Sequence, residues 1–102
     1  MAARPHSSSV LAPERAKAKP PRMYKVILYN DDFTTMDFVI EVLERFFAMN
    51  RERALQIMLE VHNKGSATCG VYSRDVAESK VTQVTELAKQ HGHPLRCGME
   101  ES

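Results

Sequence analysis

Residues 23–36 read Met23-Tyr24-Lys25-Val26-Ile27-Leu28-Tyr29-Asn30-Asp31-Asp32-Phe33-Thr34-Thr35-Met36. The first seven are mostly β-branched, aromatic or large and apolar, which is the composition of a strand. Asn30-Asp31-Asp32 ends it, because short polar side chains bond to nearby backbone and favour turns. Thr34 or Thr35 then opens a helix. A threonine hydroxyl accepts from the free amides of a first turn, and Asp37 stands where the helix dipole favours an acid. Met36, Val39, Ile40, Leu43 and Phe47 recur at helical spacing, while Glu41, Glu44 and Arg45 point elsewhere.

The remaining chain extends this strand-turn-helix unit. Asn50 caps a second helix whose apolar stripe is Ala54, Ile57, Met58 and Val61, and Gly65 ends it in the left-handed conformation. Ser66 to Tyr72 reads as a short strand, with Gly70 allowing close backbone approach. Ser73 begins a third helix, with Asp75 and Glu78 in its first turns and Ala77, Val81, Val84 and Ala88 as its buried stripe. His91-Gly92 stops that helix, and Pro94 to Met99 forms a last strand. The order β-α-α-β-α-β predicts an α+β fold, a small open sandwich with three helices on one face of a three-stranded sheet. Roughly 80 ordered residues support one modest core.

Residues 1–22 differ in kind from 23–102. They hold four of the five prolines, the run Ser7-Ser8-Ser9, and five basic residues against Glu14 alone, a balance of +4. The remainder holds nine basic against twelve acidic residues, −3, which together give the net +1. So few apolar residues cannot offset the entropy of ordering, and the segment is expected to be a disordered basic tail before a core domain. A basic tail could touch nucleic acid, but the acidic body argues against a nucleic-acid binder. No stretch is apolar and long enough for a signal peptide or a membrane span, so the expected location is the cytoplasm, away from membranes. Cys69 and Cys97 form no metal-binding pattern and are expected to be small core residues without a disulfide.

Asn30-Asp31-Asp32-Phe33-Thr34 is the most unusual stretch. Asp31 and Asp32 as acid and base with His62 in support would make a catalytic site, but neighbours in a turn point apart and no nucleophile stands beside a base. The same three residues lack the spacing of a metal site. The bland alternatives are a turn-forming Asn30, a helix-end His62 bonded to backbone or water, and a core role for the Met36, Val39, Met58 and Leu95 side chains. Asp75, Glu78 and Lys80 read by default as solvated surface.

Four segments in order turn this reading toward a family. Leu28 to Met36 resembles the ClpS signature NDD(Y/F)TPM. Ile57 to Gly65 resembles its ML-x-VH-x-x-G segment, and Cys69 to Val81 resembles CGV(F/Y)…VAETKV. His93-Pro94-Leu95 followed by Cys97 resembles the closing HPL-x-C. The resemblance spans residues 23–100 and implies a non-catalytic adaptor, without cofactor or metal, that recognises the first residue of other proteins. That residue is Phe, Leu, Tyr or Trp, and the adaptor delivers its bearer to the ClpA unfoldase of the ClpAP protease. The implied contacts to the free amine are Asn30, Asp31 and His62. The implied side-chain pocket is Asp32, Thr34, Met36, Val39, Met58, Val61 and Leu95. Asp75, Glu78 and Lys80 correspond to the surface that docks on the unfoldase N-terminal domain, and residues 1–22 correspond to a tail used in delivery. Thr35 replaces the usual Pro, which implies a looser first turn.

The chemistry suits the task. An ammonium offers three donors, and an Asn oxygen, a neutral imidazole nitrogen and a carboxylate accept them directly or through water. The competing expectation is another docking module on the same sandwich, such as the C-terminal domain of the ribosomal stalk protein. A monomer is the expected state in either case.

Overall fold

The apolar run of β1 (Met23–Tyr29) takes the centre of the sheet, in a computed structural model that describes residues 20–102. It pairs antiparallel with β2 (Ser66–Ser73) on one side and β3 (Arg96–Glu101) on the other. Strand alternation sends Val26 and Leu28 to one face, where both are fully buried. Three helices cover that face: α1 (Met36–Phe46), α2 (Arg51–Lys64) and α3 (Arg74–Gln90). α2 lies on β2, α3 runs over all three strands, and α1 packs across α2 and α3. The α+β sandwich and its β-α-α-β-α-β order are as the sequence predicts. Of the tail expected over 1–22, residues 1–19 lie outside the described residues.

The helix stripes hold with two amendments. Ala54, Ile57, Met58 and Val61 of α2 are all buried. In α1, Phe38 and Val42 join Val39, Ile40 and Leu43 in the core, whereas Met36 is 48% exposed. Phe38 is buried by tertiary packing, its ring lying 4.3 Å from that of His93 and 5.6 Å from that of His91. In α3, Leu87 is buried beside Ala77, Val84 and Ala88, and Val81 is half-buried.

The last strand begins later and runs further than Pro94–Met99. Pro94 has no amide for the ladder, Leu95 turns into the core, and pairing continues to Glu101 opposite Tyr24. On the other side of β1 the register shifts between Val26 and Ile27, so that Cys69 is an extra residue on β2. Beyond the bulge the Tyr72 ring lies across Gly70, where an added Cβ would come within 2.6 Å of Tyr72 Cζ. Both thiols are free. Burial pushes each up to about 12, with Cys97 adding to the effect at Cys69, so neither is a nucleophile at neutral pH.

Candidate functional site

The sheet register decides which residues meet. Tyr29, at the end of β1, pairs with Ser66, at the start of β2. The link after β1 and the helix before β2 therefore arrive at the same end of the sheet. Gly65 turns between α2 and β2 at φ +92, a backbone that costs a β-carbon-bearing residue about 1 kcal/mol or more. Its amide closes α2 by donating to the Val61 carbonyl at 2.9 Å, and its carbonyl accepts from the Asn30 amide at 2.9 Å. That last bond ties Asn30 to the turn that carries His62.

The intervening loop is held by one carboxylate. Asp31 Oδ1 accepts from the amides of Phe33 at 2.8 Å and Thr34 at 2.7 Å, and Oδ2 accepts from the Thr34 hydroxyl at 2.7 Å. Burial alone would raise the Asp31 pKa. The Thr34 and Phe33 bonds, helped by the field of His93, outweigh burial and hold the carboxyl below its ordinary 3.8. Thr35 follows as the N-cap of α1, with φ −70, and its hydroxyl accepts from the Phe38 amide at 3.2 Å. The looser turn expected from Thr in place of Pro is offset here: the φ is one that proline would adopt, and the hydroxyl satisfies an amide that proline would leave free.

Asn30, Asp31, Asp32, Thr34, Met36, Val39, Met58, Val61 and His62 line one cavity of about 210 Å³. Pockets for drug-sized ligands run to about 300–1,000 Å³, so this volume suits one amino-acid residue rather than a larger molecule. The lining divides by chemistry. Asn30, Asp31 and His62 supply polar groups, while Met36, Val39, Met58 and Val61 supply an apolar wall from α1 and α2. Asp31 has spent most of its accepting capacity on its own loop, so its first part in the structure is to hold the turn through Phe33 and Thr34. Leu95, the remaining residue assigned to this pocket, does not line the cavity. It is buried in the core and borders a separate groove with Tyr29, Thr85, Lys89 and His93. The short segment from Pro94 aims it inward ahead of β3.

The three residues assigned to docking do not form one patch. Asp75 and Glu78 are exposed and share a shallow depression with Ser79, Thr82 and Gln83, and Glu78 pairs with Arg74 at 3.7 Å. Lys80 points away from it. Its Nζ donates to the Phe46 carbonyl at 2.6 Å and sits 5.7 Å and 6.0 Å from the Tyr72 and Phe47 ring centres. It thus caps the end of α1, where the helix dipole favours a cation.

Sequence reasoning passed over His93 and Phe33. His93 stacks on Phe38 and acts on Asp31 through its charge, a contact between distant segments that no local pattern announces. Phe33, the one apolar residue in the polar run from Asn30 to Thr35, is 78% exposed within the loop. No group of three or more His, Cys, Asp or Glu side chains among the described residues is placed to hold a metal ion.

Comparison with known proteins supplies the family. A family model described as ATP-dependent Clp protease adaptor protein ClpS matches residues 19–98. An adapter protein ClpS of Nitrosospira multiformis is 61% identical over 102 residues, the full length of both chains. One from Vibrio atlanticus is 56% identical, covering 92% of this chain and 89% of its own. Among solved structures, Agrobacterium tumefaciens ClpS2 bound to L-phenylalaninamide superposes with a TM-score of 0.79 at 40% identity, over 81% of this chain and all of that one. Nine-tenths or more of the chain aligned at such identity leaves no room for the stalk-like alternative: this protein belongs to the ClpS family of ATP-dependent Clp protease adaptors.

Proposed function

We infer that this adaptor binds proteins by a large apolar first residue, Phe, Leu, Tyr or Trp, and passes them to a ClpA-type unfoldase. One observation carries the reading. A single-residue cavity has amine acceptors, Asn30 and His62, at the same opening as an apolar wall of Met36, Val39, Met58 and Val61. L-phenylalaninamide, the ligand of the Agrobacterium relative, combines a free α-amine with a large apolar side chain, which is the pair of features such a cavity would select. Each charge-assisted bond contributes about 1.5–3 kcal/mol, and burial of the side chain adds roughly 1.5–3 kcal/mol. The task is recognition, so no catalytic residue, cofactor or metal is assigned.

Asp75 and Glu78 form the surface offered to the unfoldase N-terminal domain, with Lys80 fixing the helix that carries them against α1. Residues 1–22 act in delivery, and residues 23–102 fold and bind peptide alone. The adaptor works as a monomer in the cytoplasm. No helix among the described residues is long and apolar enough to cross a membrane. Fluorescence anisotropy with peptides differing only in the first residue tests the recognition. Phe, Leu, Tyr and Trp should bind and Ser and Glu should not; equal binding of all six would overturn it. A chain starting at Met23 should bind these peptides normally yet fail to stimulate degradation of a Leu-initiated reporter by the unfoldase–protease.

A further inference from the structure

Among the described residues, seven large apolar side chains are 40% or more exposed. Scattered singly they would need no explanation, but four of them belong to the two segments that line the cavity. Met36 lines the cavity from α1, and Phe33 stands in the loop between the lining residues Asp32 and Thr34. Leu55 and Leu59, 44% and 43% exposed, stand on α2. Leu55, Leu59 and His62 follow at spacings of four and three, so they share a helix flank that ends at the cavity. The rest of the exposed surface of α2 is polar, with Glu52, Arg53, Gln56 and Asn63.

We propose that the Leu55–Leu59 ridge is a second recognition surface, which binds apolar side chains at the second and fourth positions of a substrate whose first residue fills the cavity. The proposal rests on the first-residue reading and extends it. A chain whose amine is held beside His62 must leave the cavity there. Leu59 lies three residues from His62 and Leu55 seven, about 4.5 and 10.5 Å along the axis at 1.5 Å per residue. The two leucines are therefore about 6 Å apart. An extended peptide advances about 3.3 Å per residue and turns alternate side chains to one side, so its second and fourth side chains recur every ~6.6 Å. The spacing of the ridge matches that repeat.

The test uses the full chain and two free-amine peptides, Leu-Leu-Gly-Leu-Lys and Leu-Ser-Gly-Ser-Lys, with the acetylated Ser peptide as a control. Covering part of two leucines should make the first peptide bind about tenfold more tightly. The double variant Leu55→Gln, Leu59→Gln should bring the two within about twofold while leaving the Ser peptide unchanged. Glutamine is a good helix former and both sites are exposed, so the variant keeps its fold. Equal affinity of the two peptides for the parent, with the acetylated control still weaker, overturns the ridge and leaves the first-residue reading standing. A preference that survives in the double variant assigns the contact to Phe33 and Met36 instead. A variant that keeps the preference but loses the unfoldase assigns the ridge to docking. Free and acetylated peptides binding alike would remove the first-residue reading and the ridge with it.

Discussion

The cavity at the end of β1 and the acidic patch on α3 are both polar surfaces, yet they are built differently. Around the cavity the loop backbone is tied down at several points: Asp31 accepts three bonds, Thr35 caps α1, and the Asn30 amide reaches across to Gly65. On α3, Asp75 and Glu78 stand exposed with a single loose ion pair to Arg74, worth at most about 1 kcal/mol. The roles proposed for the two surfaces would account for the difference. Recognition of one ammonium and one side chain has little binding energy to spend, so its acceptors must be set before the ligand arrives. A protein-docking patch spreads its energy over many contacts and tolerates mobile side chains.

The sharpest way to break this contrast is at Asp31. Asp31→Ala removes three bonds at once and should cost about 3 kcal/mol of peptide affinity, roughly a hundredfold. Asp75→Ala and Glu78→Ala should leave peptide affinity within about twofold and weaken binding to the unfoldase. Isothermal titration with both partners would separate the two surfaces, and a large peptide defect in the α3 variants would merge them. The pH dependence follows from the same carboxyl. Its folded value is depressed, so the loop order it supports is complete at neutral pH and persists below the point where the unfolded chain binds a proton. It is lost as pH falls beneath 3.8 toward the folded value. Melting curves at descending pH should show Asp31→Asn losing less in that range than the parent.

Lys80 sharpens the comparison, since it sits on the same helix as the proposed docking patch but holds a contact inside the fold. Lys80→Ala should cost about 1.5–3 kcal/mol, because it strips a charged donor from the Phe46 carbonyl. A thermal midpoint lower by about 10 °C is the expected reading, against almost no change for Asp75→Ala. If Lys80→Ala melts as the parent does and fails only to bind the unfoldase, Lys80 belongs to docking alone. Met36 is the corresponding test at the cavity. At 48% exposure, Met36→Ala should cost well under the ~2–5 kcal/mol of a buried methionine. It should also raise the affinity of Val-initiated peptides relative to Leu, because a β-branched first residue overpacks a closed rim. The smallest effect lies away from both surfaces. Ala48 holds φ 53 between α1 and α2, and Ala48→Gly should stabilise the fold by about 0.5–1 kcal/mol without changing either affinity.

What could be read in the sequence was local or repeated at a fixed period. The turn after Tyr29, the Asn50 cap, the α2 stripe and the left-handed Gly65 all depend on residues within a few positions of each other. The nine cavity residues came from motif resemblance, and the Tyr29–Ser66 register explains why those motifs converge. The rest depends on distant contacts. Lys80 meets a carbonyl 34 residues away, and Phe38 is buried by rings from the α3–β3 link. Neither of these has a signature in spacing or composition.

The central claim is that the cavity recognises a chain end and not merely an apolar side chain. Measuring one Leu-initiated peptide against its N-acetylated form tests it most directly. Acetylation removes the charge and leaves the acceptors of Asn30 and His62 without an ammonium, a loss of about 3 kcal/mol. The acetylated peptide should bind at least about a hundredfold more weakly than the free one; equal binding of the two forms would contradict recognition of a chain end.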